Sequence, residues 1–186
     1  ETAADRLNRL VENLLDMSRL DAGRLQLKLE WCDLGDVIGV ALRTLQSVIR
    51  QRVVHVTIAP DVPLVWLDFV LIEQVIVNLL DNACAYTPDD SPIEIAVSAD
   101  GQRVRIDIAD HGPGIPDDAL ERIFEKFYRV PGTAAGGTGL GLSICRGLVE
   151  AHGGELIAQN RAVGGIVFSI LLPKTTQPPP VKEATL

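Results

Sequence analysis

The alternation of apolar and polar positions is most informative over residues 71–87, which read LIEQVIVNLLDNACAYT. Apolar residues recur there every three or four positions, which is the period of an α-helix with one buried face. The same spacing lines up Asn78, Asn82 and Tyr86 on a second face. Buried amides are costly unless they are hydrogen bonded, so this polar stripe either caps local backbone or faces a polar ligand. An amide oxygen suits Mg²⁺, which prefers few protein ligands together with phosphate oxygens and water.

Flanking stretches repeat the helical period and have recognisable ends. Gly23 is expected to end an N-terminal helix, and Gly153 and Gly154 are expected to end the last one. Asp33 and Asp68 precede apolar-periodic stretches, where an aspartate side chain can cap the first backbone N–H groups. Besides the central helix, helices are predicted over residues 3–20, 34–50, 116–124 and 139–152.

Two stretches of strict alternation predict β-strands. Residues 93–97 and 104–108 each place apolar side chains on one face and polar side chains on the other. Asp100-Gly101 between them predicts a hairpin turn. Helices should therefore cover the apolar face of the sheet to which these strands belong. Further strands are predicted over residues 53–58, 64–67, 155–160 and 165–172.

The composition narrows the classes of function. The formal charge is −8 and aromatic residues make up 4% of the chain, which argues against a nucleic-acid-binding surface. Three scattered cysteines without a CxxC pair indicate a reducing compartment and no zinc site. No apolar run approaches the ~18 residues of a membrane span, and no signal peptide is visible. Met17 is the only methionine, so we expect the sequence to be part of a longer protein.

Two glycine-rich segments suggest nucleotide chemistry. Residues 136–142, GGTGLGL, open a predicted helix, where glycines let backbone N–H groups approach phosphates and the helix N-terminus favours an anion. The chain has no Walker motif, and the glycine spacing does not match a dinucleotide fingerprint. Asp110, followed by Gly112 and Gly114, could accept the exocyclic amine of adenine, whereas the carbonyl of guanine would be repelled. Taken singly, the two segments could equally be a flexible loop and an ordinary turn.

Taken in order, these segments resemble the ATP-binding domain of sensor histidine kinases. The asparagine helix is similar to that family's N box, DHGPG to its first glycine box and GGTGLGL to its second. Residues 123–129, IFEKFYR, look like the F box and lie between the two glycine boxes, as in the family. The resemblance covers about residues 31–173. The stretches NLLDMSRLDAGRLQLKLEW and SICRGLVEAHGG are most similar to Kdp-type potassium-responsive sensor kinases.

The resemblance implies a fold and a domain organisation. The fold would be α+β, a two-layer α/β sandwich of the Bergerat ATP-binding type, with a mixed, mostly antiparallel sheet covered on one face by helices. Residues 1–23 would end a dimerisation and phosphoacceptor domain, and residues 24–174 would form the catalytic ATP-binding domain. Residues 175–186, rich in proline and charge, are expected to be a disordered tail.

The same resemblance implies cofactors, partners and a location. ATP and Mg²⁺ would bind, and the phosphate would pass to a histidine for relay to an aspartate of a response regulator. The other partners would be the protein's own dimerisation domain and, in the full-length protein, a second copy, with no nucleic acid. The domain would be cytoplasmic, in a bacterial inner-membrane sensor attached to the membrane only through segments outside this sequence.

Each residue that matches a family motif inherits an implied role. Asn82 would ligate Mg²⁺, and Asn78 would support the metal or its waters. Tyr86 would stack near adenine, and Asp110 would accept hydrogen bonds from its amine. The remaining nucleotide-binding residues around the base and the phosphates would be Gly112, Gly114, Ile115, Gly137, Thr138, Gly139, Leu140, Gly141 and Leu142.

The chain departs from the family pattern at Ala85, where a basic residue usually precedes the N-box aromatic. Phosphate binding would then depend more on Lys126 and Arg129, which are candidates for the γ-phosphate unless they are ordinary surface charges. Their loop would act as a lid that nucleotide orders.

The expected phosphoacceptor histidine is also missing. None of the three histidines lies on a dimerisation helix followed by an acidic residue, so we expect Mg-ATP binding without self-phosphorylation. One alternative is an ATPase of the gyrase, chaperone and mismatch-repair group, but the glutamate base of those enzymes is replaced here by Asn78. A second alternative is a non-catalytic nucleotide sensor, which Ala85 favours. The histidines, interpreted as structural or surface residues, are His55, His111 and His152.

Overall fold

The computed structural model describes the chain from residue 25 to residue 175 with two gaps, together with six residues nearer the N-terminus. The described residues are 11, 15, 17, 18, 20, 22, 25–49, 52–132 and 138–175. The strands are β1 (Glu30–Cys32), β2 (Val54–Ile58), β3 (Val65–Leu67), β4 (Ile93–Ala99), β5 (Arg103–Ala109), β6 (Glu155–Asn160) and β7 (Ile166–Pro173). The α-helices are α1 (Leu34–Thr44), α2 (Gln46–Ile49), α3 (Phe69–Tyr86) and α4 (Gly141–Ala151).

A five-stranded sheet in the order β2-β4-β5-β7-β6 forms the main layer. Strand β2 is parallel to β4, and the other neighbours are antiparallel. The inward residues of β4 and β5 are those that alternation predicted, because Ile95 and Ile106 are buried while Ala96 and Arg105 are exposed. Helices pack on this one apolar face. The predicted α+β fold with a mixed, mostly antiparallel sheet is therefore confirmed.

Helix α3 lies between α1 and α4 and against β5. Its N-terminus is capped as predicted, since the Asp68 side chain accepts a hydrogen bond from Leu71 N at 3.2 Å. Within the described part of the chain, α3 is long and apolar enough to cross a membrane by length and composition alone, so the expectation that no run approached that length was wrong. A core helix passes the same test, and α3 buries its apolar face within the domain.

Three predicted elements differ from the structure. The predicted helix over 116–124 is two 3₁₀ turns, Asp117–Ala119 and Arg122–Phe124, whose backbone bonds are of the i→i+3 type. The predicted helix over 34–50 is interrupted at Leu45. The last helix begins at Gly141 rather than Gly139, whose φ of 71° is incompatible with a right-handed helix.

Both predicted ends of the chain lie largely outside the described residues. The described residues in the first helix prediction are helical, and a Cβ on Gly147 of α4 would come within 2.9 Å of Leu20 Cδ1. The predicted tail falls outside the described residues from residue 176 onward. The described helical residues near the N-terminus are Val11, Leu15, Met17, Ser18 and Leu20.

Candidate nucleotide-binding site

The first glycine segment lies against the C-terminal end of α3. A Cβ built on Gly112 would be 3.0 Å from Thr87 Cγ2 and 3.1 Å from the carbonyl oxygen of Tyr86. A side chain at this position would therefore require the neighbouring atoms to shift by a few tenths of an ångström. The structure thus brings together two segments that are separated in sequence and were both assigned to the nucleotide site. Tyr86 itself is 40% exposed at the end of the helix.

Asp110 follows β5 directly and is 6% exposed. Its Oδ1 accepts hydrogen bonds from Gly112 N at 2.8 Å and from Ile166 N at 3.3 Å. Its own N–H donates to Ile166 O at 3.0 Å. Both of these side-chain bonds end on Oδ1, which orients the carboxylate, and no described residue bonds to Oδ2, which can therefore accept from an amine donor.

The far end of the first glycine segment is held by Asn160, a residue that sequence reasoning missed. Ile115 N donates to Asn160 Oδ1 at 2.9 Å, and Asn160 Nδ2 donates back to Ile115 O at 2.6 Å. Gly114 adopts a φ of 76°, and a Cβ there would be 2.8 Å from Asn160 Oδ1. The only signal in the sequence was an asparagine at the end of a predicted strand before a glycine-containing turn.

The second glycine segment joins the F-box segment through backbone contacts. Phe127 N donates to Gly139 O at 2.9 Å, and a Cβ on Gly139 would be 2.8 Å from the Phe127 carbonyl carbon. Thr138 is exposed, and its Oγ1 accepts a hydrogen bond from Leu140 N at 3.3 Å. The Leu140 side chain is in the core, so only its main chain could face a phosphate. Gly137 lies outside the described residues.

The N-terminus of α4 is suited to an anion. The first residue of this helix is Gly141, and no side chain of the described residues caps it. A Cβ on Gly141 would meet no atom of the described residues within 4 Å, so with respect to them there is open space beside its backbone. Leu142, in the first turn, is half-buried. Uncapped N–H groups beside open space are what a phosphate group requires at a helix N-terminus.

The two asparagines of α3 differ in environment. The Asn78 amide lies beside the Cys145 thiol of α4. Burial raises the pKa of this thiol to about 12, and the hydrogen bond with the Asn78 amide opposes part of that increase. Asn78 Nδ2 is nevertheless buried without a hydrogen-bond acceptor among the described residues. An orphaned donor of this kind fits a site that a phosphate oxygen or a bound water completes. Asn82 is half-buried one turn further on.

A divalent cation at this site would depend on amide and phosphate oxygens. Across the described ranges, no group of three or more His, Cys, Asp or Glu side chains could hold a metal. One amide oxygen, nucleotide phosphates and water form a ligand set that Mg²⁺ accepts. Lys126 and Arg129 are exposed beyond the second 3₁₀ turn, and each already makes an interaction within the protein.

The histidines have structural or surface positions, as interpreted from the sequence. His55 is exposed on β2. His111 Nε2 lies 2.7 Å from Glu94 Oε1. His152 Nε2 accepts a hydrogen bond from Asp68 N at 3.0 Å, which links the end of α4 to the start of α3.

The fold and this arrangement define a class of protein that comparison with known families makes plain. Residues 68–176 match the family described as histidine kinase-, DNA gyrase B-, and HSP90-like ATPase. The chain is 32% identical to the catalytic domain of histidine kinase ThkA, covering 80% of this chain and 99% of that one with a TM-score of 0.69. The chain therefore belongs to this ATPase family and is a histidine kinase catalytic domain.

Particular relatives narrow the resemblance. The chain is 40% identical to the sensor protein KdpD of Escherichia coli (strain K12) over 171 residues, which is 91% of this chain and 19% of the relative. It thus spans about a fifth of that protein's length. Full-length ShkA in complex with AMPPNP is 28% identical with a TM-score of 0.81, over 94% of this chain and 37% of that one. ThkA in complex with the response regulator TrrA is also 28% identical, with a TM-score of 0.70, over 91% and 49%.

Proposed function

We propose that the domain binds Mg-ATP and donates the γ-phosphate to a histidine of its own dimerisation and phosphoacceptor domain, for relay to a response-regulator aspartate. The observation that carries this proposal is the contact between Gly112 and the end of α3, with Asp110 held by backbone donors beside it. One adenine nucleotide could then contact the Asp110 carboxylate and the uncapped N-terminus of α4.

Different residues would bind the adenine base, the phosphates and the Mg²⁺ ion. Asp110 would select adenine, with Tyr86 beside the base. The backbone from Thr138 to Leu142 would hold the phosphates. Asn82 would ligate Mg²⁺, with Asn78 bonded to a metal-bound water or a phosphate oxygen, and the cation would neutralise charge on the transferred group. Lys126 and Arg129 would approach the γ-phosphate on a closing loop.

The phosphoacceptor histidine, the second copy of the protein and the response regulator are proposed for the full-length protein. Because none of the three histidines lies on a dimerisation helix, the acceptor would be supplied by a segment outside this sequence. The relative KdpD is a sensor protein, and we expect this domain to serve a dimeric bacterial sensor, on the cytoplasmic side of the inner membrane, as the resemblance to sensor histidine kinases implies. A response regulator would receive the phosphate, by similarity to ThkA, which forms a complex with the response regulator TrrA.

Calorimetry with ATP, GTP and ADP, with and without Mg²⁺, tests the nucleotide site. Asp110→Asn should weaken ATP binding by ~1.5–3 kcal/mol, the value of a charge-assisted hydrogen bond. In this variant the amide oxygen would take the place of Oδ1 and accept from Gly112 N and Ile166 N. The amide nitrogen, which is a donor, would then face the adenine amine. Asp107→Asn on β5, whose carboxylate bonds Arg105 and Ser169, is the matched control and should leave ATP binding unchanged. An unchanged titration of Asp110→Asn would remove Asp110 from the site.

Phosphotransfer assays separate the kinase from an ATPase. The chain alone should show no phosphohistidine, and adding a separate histidine-bearing dimerisation domain should restore transfer. Stoichiometric phosphohistidine on the chain alone would contradict the proposal. Steady ATP turnover that Asn78→Ala abolishes would instead favour the gyrase-like alternative, although an amide at that position cannot accept a proton from water.

A further inference from the structure

The turn between β6 and β7 lies directly against Asp110. A Cβ on Gly165 would overlap the Asp110 carbonyl oxygen, and Gly165 has a φ of 88°. Ile166, next in the chain, accepts a backbone hydrogen bond from Asp110 N, and its own N–H donates to the Asp110 carboxylate. The residue assigned to adenine is thus held by a turn that carries no part of the known motifs.

Arg161 in this turn contacts the same residue with its side chain. Its Nη1 donates to Asp110 O at 3.0 Å, and the side chain is only 18% exposed. Its Nη2 lies 3.2 Å and 3.3 Å from the two carboxylate oxygens of Glu94 on β4. A guanidinium fixed at both ends is more rigid than one held by a single bond.

Glu94 is itself held from a second side. His111 Nε2 lies 2.7 Å from Glu94 Oε1, and Arg161 Nη1 lies 3.2 Å from the same ring nitrogen. The hydrogen bond from His111, followed by Arg161, lowers the pKa of Glu94. The carboxylate therefore remains an anionic anchor for Arg161 at neutral pH. The cluster formed by Glu94, His111 and Arg161 contacts the Asp110 main chain through the Arg161 guanidinium.

Asn160, which precedes Arg161 in the chain, holds the other end of the first glycine segment by hydrogen bonds. Asn160 bonds to both backbone groups of Ile115, and its Nδ2 also lies 3.1 Å from Asp117 Oδ1. Two adjacent side chains, Asn160 and Arg161, therefore hold the segment at Ile115 and at Asp110. The peptide between these two points is fixed by contacts from outside it.

We propose that Arg161, anchored by Glu94, is a positioning residue that sets the Asp110 carboxylate for recognition of the adenine amine. The inference rests on the proposed ATP site and adds a determinant of base selectivity to it. In this proposal Arg161 acts through its hydrogen bond to the Asp110 main chain and not through a contact of its own with the nucleotide. Its removal should reduce selectivity for the amine more than it reduces binding of the phosphates.

The test compares ATP with inosine triphosphate, which carries a carbonyl in place of the amine. Calorimetry on the 186-residue chain with Mg²⁺ would measure both dissociation constants. Arg161→Ala should weaken ATP binding by roughly threefold to tenfold, the size of one hydrogen bond, with little change for inosine triphosphate. Arg161→Lys should recover part of the preference for ATP over inosine triphosphate, since one ammonium can reach either Asp110 O or the Glu94 carboxylate but not both.

The matched control is Arg103→Ala. Arg103 also pairs with a glutamate at 3.2 Å, Glu155, but at the opposite end of β5. It should change neither dissociation constant. Thermal melting of each variant would confirm folding, and Glu94→Gln provides a second, milder loss of the anchor if Arg161→Ala fails to fold.

The outcomes separate the inference from the proposed function. The selectivity ratio is the dissociation constant for inosine triphosphate divided by that for ATP. If Asp110→Asn lowers this ratio but Arg161→Ala leaves it unchanged, the inference is overturned. If Arg161→Ala is unfolded, an unchanged ratio in Glu94→Gln and Arg161→Lys overturns it in the same way. A wild-type chain that binds both nucleotides equally, or neither, overturns the inference together with the Asp110 assignment. A reduced ratio with normal melting supports it.

Discussion

Arg52 donates hydrogen bonds to both the hydroxyl and the carbonyl oxygen of Thr87, the C-cap residue of α3, so the end of this helix is held at two atoms. The guanidinium also reaches Cys84 O at 3.2 Å and Ser91 O at 3.3 Å, and the side chain is only 2% exposed. Since Thr87 is the residue against which Gly112 packs, Arg52 stabilises the contact between α3 and the first glycine segment.

Replacing Arg52 with methionine should destabilise the domain. The carbonyl groups at the end of α3 would lose their donor in a buried position, at a cost of ~1–3 kcal/mol in the free energy of unfolding. Urea denaturation measures this quantity. Arg103→Met, which removes an exposed ion pair, should cost less than ~1 kcal/mol. Equal losses from the two variants would show that the buried bonds of Arg52 contribute little.

Local signals in the sequence were sufficient for most elements and for the motifs. Asp68 caps α3, and Asp100 accepts from the N–H groups of Gln102 and Arg103 in the hairpin, because each contact spans only a few residues. Arg52 and Arg161 could not be predicted in this way. Their partners are about 30 to 70 positions distant, and neither lies in a periodic pattern.

The candidate site shows the same difference between contacts of residues that are close in sequence and contacts of residues that are distant in sequence. The glycine spacing identified the first glycine segment, but the bonds from Asn160 that hold it depend on how β6 meets the segment in space. The helix predicted over 116–124 was wrong, because apolar spacing of this kind does not distinguish an α-helix from the consecutive 3₁₀ turns that the segment forms.

Gly141 allows a test that separates nucleotide binding from folding. The Cβ of an alanine at this position would meet no atom of the described part of the chain within 4 Å, so Gly141→Ala should fold with unchanged or slightly higher stability. If the open space holds phosphates, the added methyl group should weaken ATP binding by about tenfold or more through steric exclusion. Gly101→Ala, also in open space but in the hairpin, is the control. ATP affinity that is equal in both variants would place the phosphates elsewhere.

Gly139→Ala should have a different effect, because here the added atom meets backbone. The Cβ would lie within 2.9 Å of the Phe127 Cα and the Tyr128 carbonyl oxygen, and the φ of 71° disfavours alanine. We expect a loss of ~1–3 kcal/mol in stability, in the range of strained backbone positions, together with weaker ATP binding. Chemical denaturation and calorimetry on one preparation would check both. Unchanged stability would contradict the backbone contact.

Asn82→Ala should abolish the dependence of ATP binding on Mg²⁺, since no cluster of acidic side chains in the described residues could replace the amide. Calorimetry across a Mg²⁺ titration gives the linkage directly. Gln159→Ala, an exposed amide on β6, serves as the control and should retain the wild-type dependence. A variant at Asn82 that still responds to Mg²⁺ would mean that phosphates and water alone hold the cation.

The Glu94 cluster should make stability depend on acidic pH. His111 and Arg161 lower the pKa of Glu94 below its ordinary value of 4.5, so the folded state favours the deprotonated carboxylate. This contribution is fully present above the ordinary pKa and is lost as the pH falls through the lower folded-state pKa. Because the side chain is 43% exposed, it should amount to less than ~1 kcal/mol. Urea unfolding of the wild type and Glu94→Gln between about pH 7 and pH 3 should give a shallower decline for the variant. Asp100, whose pKa is lowered by the N–H groups of Gln102 and Arg103, should keep part of the slope in both proteins. If the two declines are parallel, Glu94 is not preferentially ionised in the folded state and Arg161 lacks the anchor assigned to it.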